Sequence, residues 1–126
     1  MFRAWHTDEG LHHTPYRPPS TAASSISVAL PRDRIKALRA IQASGGEFVV
    51  VDDAQIFKAV VTLARDGGVF AEPGAAAAYA GMHAWGSMDV DETTVVLVTG
   101  SGLKDVSGLL RSGVLIEQSM DLPAVA

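Results

Sequence analysis

The chain has 126 residues, a net charge of −4 and 48% hydrophobic residues, which is enough for one core and no more. It contains no cysteine, so disulfides, thiolate metal sites and a cysteine nucleophile are excluded together. No apolar run approaches the roughly 20 residues of a membrane-spanning helix.

The opening Met1-Phe-Arg-Ala-Trp-His-Thr-Asp lacks the apolar stretch of a secretory leader, so the expected location is cytoplasmic. Charge is unevenly spread: residues 1–46 carry +3 and residues 47–126 carry −7. No dense basic stripe with interleaved aromatics occurs, and nucleic-acid binding is not expected.

Residues 1–20 combine His6, His12 and His13 with Pro15, Pro18 and Pro19, without a helical or strand period. They read as an extended lead-in, with surface histidines and no carboxylate or cysteine spaced to complete a metal site. Met1 reads as an internal start in a longer sequence. Ser25–Ala29 alternates polar and apolar side chains, after which Pro31-Arg-Asp is expected to open a helix with proline in its first turn. Ile35, Leu38 and Ile41 form its apolar face, Arg32, Lys36 and Arg39 a solvated basic one, and Gly45-Gly46 its end.

Phe48-Val-Val-Val51 predicts a strand, and Asp52 with Gln55 three positions on has the pattern of a capping box. The helix that follows carries a wide stripe of Ile56, Phe57, Val60, Val61, Leu63 and Ala64 and is expected to stop at Gly67-Gly68. Val69-Phe-Ala71 predicts a second short strand. Glu72-Pro73 then starts an alanine-rich helix, whose small side chains permit close approach to a sheet or ligand. Glu72 is an N-terminal dipole partner, a site residue, or both. Tyr79, Met82 and Trp85 are expected in the core, with His83 a surface or satisfied histidine.

The run Thr94-Thr-Val-Val-Leu-Val-Thr-Gly-Ser-Gly-Leu-Lys-Asp105 predicts a buried strand ending at Thr99 and opening into a tight Gly100–Gly102 turn. In open α/β sheets ligands sit at such strand ends. A short helix through Leu109, Leu110 and Arg111, ended by Gly113, completes the pattern. Nearly all-apolar strands alternating with helices imply a parallel sheet covered by helices on its faces.

Three stretches in this order and spacing, Pro31–Ala40, Gly67–Ala77 and Leu97–Asp105, together resemble the C-terminal part of threonine synthase, a pyridoxal-phosphate enzyme related to threonine dehydratase, cysteine synthase and the tryptophan synthase β subunit. The likeness runs from about Ser20 to Asp105, and Leu103-Lys-Asp after the glycine turn points to threonine synthase within the group. Gly74-Ala75 departs mildly from the alanine and small residue common there. The resemblance implies an α/β fold: a three-layer partial parallel sheet flanked by helices, like the C-terminal part of the large domain of fold-type II pyridoxal-phosphate enzymes. It divides the chain into an extended lead-in at 1–20, a partial domain at 21–112 and a tail at 113–126.

The resemblance further implies cofactor-binding roles. Thr99 would meet the pyridine nitrogen, where a hydroxyl moderates the ring as an electron sink more than a carboxylate would. Gly100, Ser101 and Gly102 would bring backbone close to the cofactor, and Glu72 would sit near the same end of the ring. The family's Schiff-base lysine lies in a Ser-Phe-Lys-Asp-Arg type motif, and its phosphate cup is a glycine-rich loop; neither occurs in this sequence. Lys36 and Lys58 fall on helix faces, and Lys104 matches the lysine after the glycine turn.

The chain is therefore expected to be a C-terminal segment, truncated or one piece of a split enzyme. It is not expected to convert O-phosphohomoserine and water to threonine and phosphate by itself. An exposed sheet edge would pair it with a separate N-terminal half or with itself. The alternative is a non-catalytic interaction module or remnant that keeps half a cofactor site.

Overall fold

The computed structural model describes residues 1–6, 18–86 and 91–113. Among these, the regular elements are helices: α1 (Phe2–Trp5), α2 (Arg34–Ser44), α3 (Asp53–Gly67), α4 (Pro73–Trp85) and α5 (Val106–Arg111), with 3₁₀ turns at Ser24–Ile26 and Gly102–Lys104.

Local chemistry places most boundaries. The Asp52 carboxylate accepts from Gln55 N (2.8 Å) while Gln55 Oε1 accepts from Asp52 N (2.9 Å), so the capping box at the start of α3 is formed. Gly68, with φ of 65°, terminates α3 in the left-handed conformation. α2 begins later than the sequence suggests: Pro31 lies outside it, and Asp33 occupies the N-cap without a side-chain capping bond. Its faces are as expected, with Leu38 buried and Lys36 and Arg39 exposed, while Arg32, also exposed, precedes the helix.

The core lies where α3 meets α4. Phe57, Ala59 and Val60 of α3 pack with Ala75, Ala76 and Ala80 of α4, and Ala71 and Leu109 close the cluster. Alanine lets the helix backbones approach, so the buried face of α4 is its small-residue face. The expectation for the aromatic face holds in part: Tyr79 is half-buried and packs against this core, Met82 is half-buried, and Trp85 is 53% exposed. Trp85 is the correction, because α3 packs against the alanines of α4 and leaves the last turn uncovered.

A strap at residues 21–26 ties these helices together. Asp53 accepts from Thr21 Oγ1 (2.5 Å) and from Ala22 N (2.8 Å), and these two bonds, the hydroxyl first, hold its carboxyl below the ordinary carboxylate value. Ser24 Oγ donates to Asp105 Oδ2 (3.0 Å), and Asp105 Oδ1 accepts from Gly108 N (3.1 Å) at the start of α5. A Cβ on Gly74 would overlap Ser25 Oγ, so the missing side chain lets the strap cross the first turn of α4.

The lead-in expected to be extended holds one helical turn, α1, in its described part, with Ala4 buried and the Trp5 ring edge-on to Phe48 at 5.7 Å. His12 and His13 lie outside the described residues, as does the tail beyond residue 113.

The strand runs behave differently from the helices. No strand is formed among the described residues; the one β-pairing is an isolated antiparallel bridge between Ala71 and Ser101. Glu72 N donates to Gly100 O (3.0 Å) and Gly102 N to Phe70 O (2.8 Å). The bridge joins the last residue of the predicted strand Val69–Ala71 to the glycine turn and is antiparallel, so the expected parallel sheet is not formed among the described residues. The predicted buried strand is exposed, with Val95 at 75% and Leu97 at 71%, and Val50 in the first run is at 63%. A helix satisfies its backbone internally, whereas a strand requires a neighbour for its N–H and C=O groups.

Candidate functional site

The turn after the apolar run carries the candidate site. Thr99 is exposed immediately before Gly100. The two bonds of the bridge pin both glycines to Phe70 and Glu72, and each glycine is packed too closely for a side chain. At Gly102 a Cβ would lie 2.7–2.9 Å from three atoms of the Phe70 ring. At Gly100 it would fall on the carboxyl group of Glu72. The glycines therefore serve the approach of the turn to the segment before α4. Ser101 is exposed, and its Oγ accepts from Leu103 N (3.3 Å) at the start of the 3₁₀ turn.

Glu72 is the one buried charged residue among those described, at 7% exposure. It is the N-cap of α4, whose first position is Pro73, but its side chain makes no capping bond. Its Oε2 instead lies 3.4 Å from Lys104 Nζ, which is itself well exposed. Thus the structure brings Glu72, Gly100, Ser101 and Gly102 together, with the exposed Thr99 next to them in sequence. The pairing with Lys104 was missed by sequence reasoning. Nothing local signals it, because the partners are joined only by the return of the chain past Phe70.

Other titratable groups among the described residues have partners or surroundings elsewhere. Lys36 pairs with Asp33 at 3.3 Å on the α2 surface. Lys58 lines an open groove of about 380 Å³ between α3 and α4, along with Gln55, Thr62, Tyr79 and His83. His83 stands edge-on to Tyr79, with centroids 4.5 Å apart, and His6 Nε2 lies 3.6 Å from Glu47 Oε1. Among the described residues no three His, Asp or Glu side chains gather to hold a metal, and no helix is long and apolar enough to cross a membrane.

Comparison with known proteins decides the family. The model of the family described as "Pyridoxal-phosphate dependent enzyme" matches residues 2–100, which includes the apolar run, Thr99 and Gly100. The chain belongs to the pyridoxal-phosphate dependent enzyme family. Its similar curated relatives are threonine synthases. That of Methanocaldococcus jannaschii is 41% identical over 101 residues, 78% of this chain and 25% of the relative. That of Synechocystis sp. is 40% identical over 92 residues, 72% and 24% respectively. That of Mycobacterium leprae is 34% identical over 115 residues, 89% and 29%. The chain thus spans about a quarter of the length of the curated relatives it matches. The family match begins at residue 2, inside α1, so family likeness extends into the segment taken from sequence as a lead-in.

Proposed function

We propose that this chain supplies the pyridine-nitrogen wall of the cofactor site in a threonine synthase-like enzyme, the rest of the site coming from polypeptide beyond these residues. The observation that carries the reading is the exposure of Thr99 at the start of a turn anchored at both glycines. The residues present fit one end of pyridoxal phosphate: Thr99 offers a hydroxyl to the ring nitrogen, and Gly100, Ser101 and Gly102 offer backbone beside it. Glu72 stands behind the same turn. When bound, the cofactor supplies an electron sink for charge developing on an amino-acid substrate. The protein's contribution here is to orient the ring and to meet its nitrogen with a hydroxyl.

Three features support incompleteness. Lys36 pairs with Asp33, Lys104 pairs with Glu72 and Lys58 lines the groove between α3 and α4, and none stands in the family's Ser-Phe-Lys-Asp-Arg type motif. The sequence has no glycine-rich phosphate cup of the family's kind. The runs 48–51, 69–71 and 95–99 are apolar, and the first and last stand exposed. In the completed enzyme these runs become adjacent strands of a parallel sheet with helices on both faces, giving the three-layer architecture. By itself the chain does not catalyse the elimination and replacement that turns O-phosphohomoserine and water into threonine and phosphate. Its place of action is the cytoplasm.

A second reading, favoured by the exposure of Val95, Leu97 and Val98, is a non-catalytic module or remnant that buries this run by self-association. Reconstitution separates the two. The purified chain is mixed with pyridoxal phosphate, with and without a polypeptide carrying the lysine motif and phosphate loop of a related threonine synthase. The expected result is the absorbance of lysine-bound cofactor and threonine formation in the mixture only, with both weakened by Thr99→Val. Cofactor bound by the chain alone and lost on substituting Lys36, Lys58 or Lys104 overturns the proposal. A stable homo-oligomer that ignores the added polypeptide favours the second reading.

A further inference from the structure

The position of Glu72 calls for an explanation that its helix does not provide. An acidic N-cap ordinarily turns an oxygen onto the N–H of the second or third helical residue. Glu72 does not, although its backbone carbonyl accepts from Ala75 N (3.0 Å) and Ala76 N (2.9 Å) in the usual way. Its side chain is directed across the chain instead. The carboxyl group fills the space where a Cβ of Gly100 would be, and Oε2 reaches Lys104 Nζ at 3.4 Å. The backbone N–H of the same residue donates to Gly100 O at 3.0 Å. One residue thereby grips the glycine turn at its start and, through Lys104, at its far end. Within the turn, Lys104 N donates to Ser101 O (3.1 Å), closing the 3₁₀ turn that carries the lysine.

We propose that Glu72 and Lys104 form a latch that sets the shape of the Gly100–Lys104 turn, so that Glu72 is a positioning residue for Thr99 and not a contact of the bound ligand. The function just proposed enters only in treating this turn as the cofactor-facing one; the latch is a property of the chain's own residues. Burial of the carboxylate favours a paired state, because an unpaired buried charge is costly. Exposure of the ammonium keeps the pair weak and sensitive to salt.

Amide hydrogen exchange followed by NMR on the purified chain, without cofactor, tests this. In Lys104→Met the exchange of the Gly102 N–H is expected to quicken about two- to fivefold, as suits a partly exposed pair. The Gly100 and Gly102 signals shift together, while those of Ala75 and Ala76 in the first turn of α4 stay in place. Lys104→Arg retains the slower exchange. Added salt quickens Gly102 exchange in the unaltered chain and has little effect in Lys104→Met, a comparison whose first arm needs no variant. Gly100→Ala, which displaces the carboxylate, moves the Gly102 signal and quickens its exchange.

Unchanged Gly102 exchange in Lys104→Met, or no response of the unaltered chain to salt, overturns the latch. Changes confined to Ala75 and Ala76 overturn it as well, by assigning Glu72 to its helix. No cofactor takes part in these measurements, so a failed latch leaves the cofactor reading standing, and failed reconstitution leaves the latch standing.

Discussion

The α3–α4 pair and the run 94–99 are both rich in apolar residues, yet one is closed and the other open. Val60 and Ala76 are 1% and 0% exposed, whereas Val95 and Leu97 are 75% and 71% exposed. The two helices satisfy their own backbones and need cover along one face only, which each gives the other. A strand in a parallel sheet needs a neighbouring strand to pair with and cover on both faces. The same hydrophobicity therefore has opposite consequences in a chain that spans about a quarter of its relatives.

Substitutions on each side sharpen this contrast. Leu109→Ala removes a side chain that is 0% exposed in the core of α3 and α4. It should lower the unfolding free energy in urea by about 2–5 kcal/mol. A loss no larger than that of a surface change would show that the core is not consolidated there. Asp52→Ala breaks the capping box and should cost about 0.5–2 kcal/mol, seen as reduced helical circular dichroism stability. Asp52→Asn, which keeps an acceptor, should restore most of it. The smallest effect is expected at Leu97→Ala, within about 0.5 kcal/mol for the chain alone. The same change should weaken association with the completing polypeptide in sedimentation. If Leu97→Ala destabilised the isolated chain as much as Leu109→Ala, the comparison would collapse, because the run would already be covered.

Sequence reasoning succeeded where the physics is local. Asp52 and Gln55 are three residues apart, Gly68 ends the helix it follows, and Pro73 can only begin the helix it leads. Each of these interactions is complete within a turn or two of chain. The three stretches Pro31–Ala40, Gly67–Ala77 and Leu97–Asp105 were equally legible as a family likeness, and the family match over residues 2–100 supports the family they point to. Apart from the start of α2, which falls after Pro31, what escaped depends on distant pieces of chain. The side of α4 that is buried follows from where α3 arrives, and so Trp85 was misplaced. The pairing of Lys104 with Glu72 follows from the return of the chain past Phe70. The strands were read from residues whose preference is clear, but preference for a sheet is realised only against another strand.

The bond from Ser24 to Asp105 joins residues 81 positions apart. Its formation must await closure of a loop spanning most of the chain, whose entropic cost rises only slowly with length. α3 and α4, neighbours in sequence, meet without that delay. Folding of this piece should accordingly proceed from the helix hairpin outward, with the strap at residues 21–26 as its final and slowest closure.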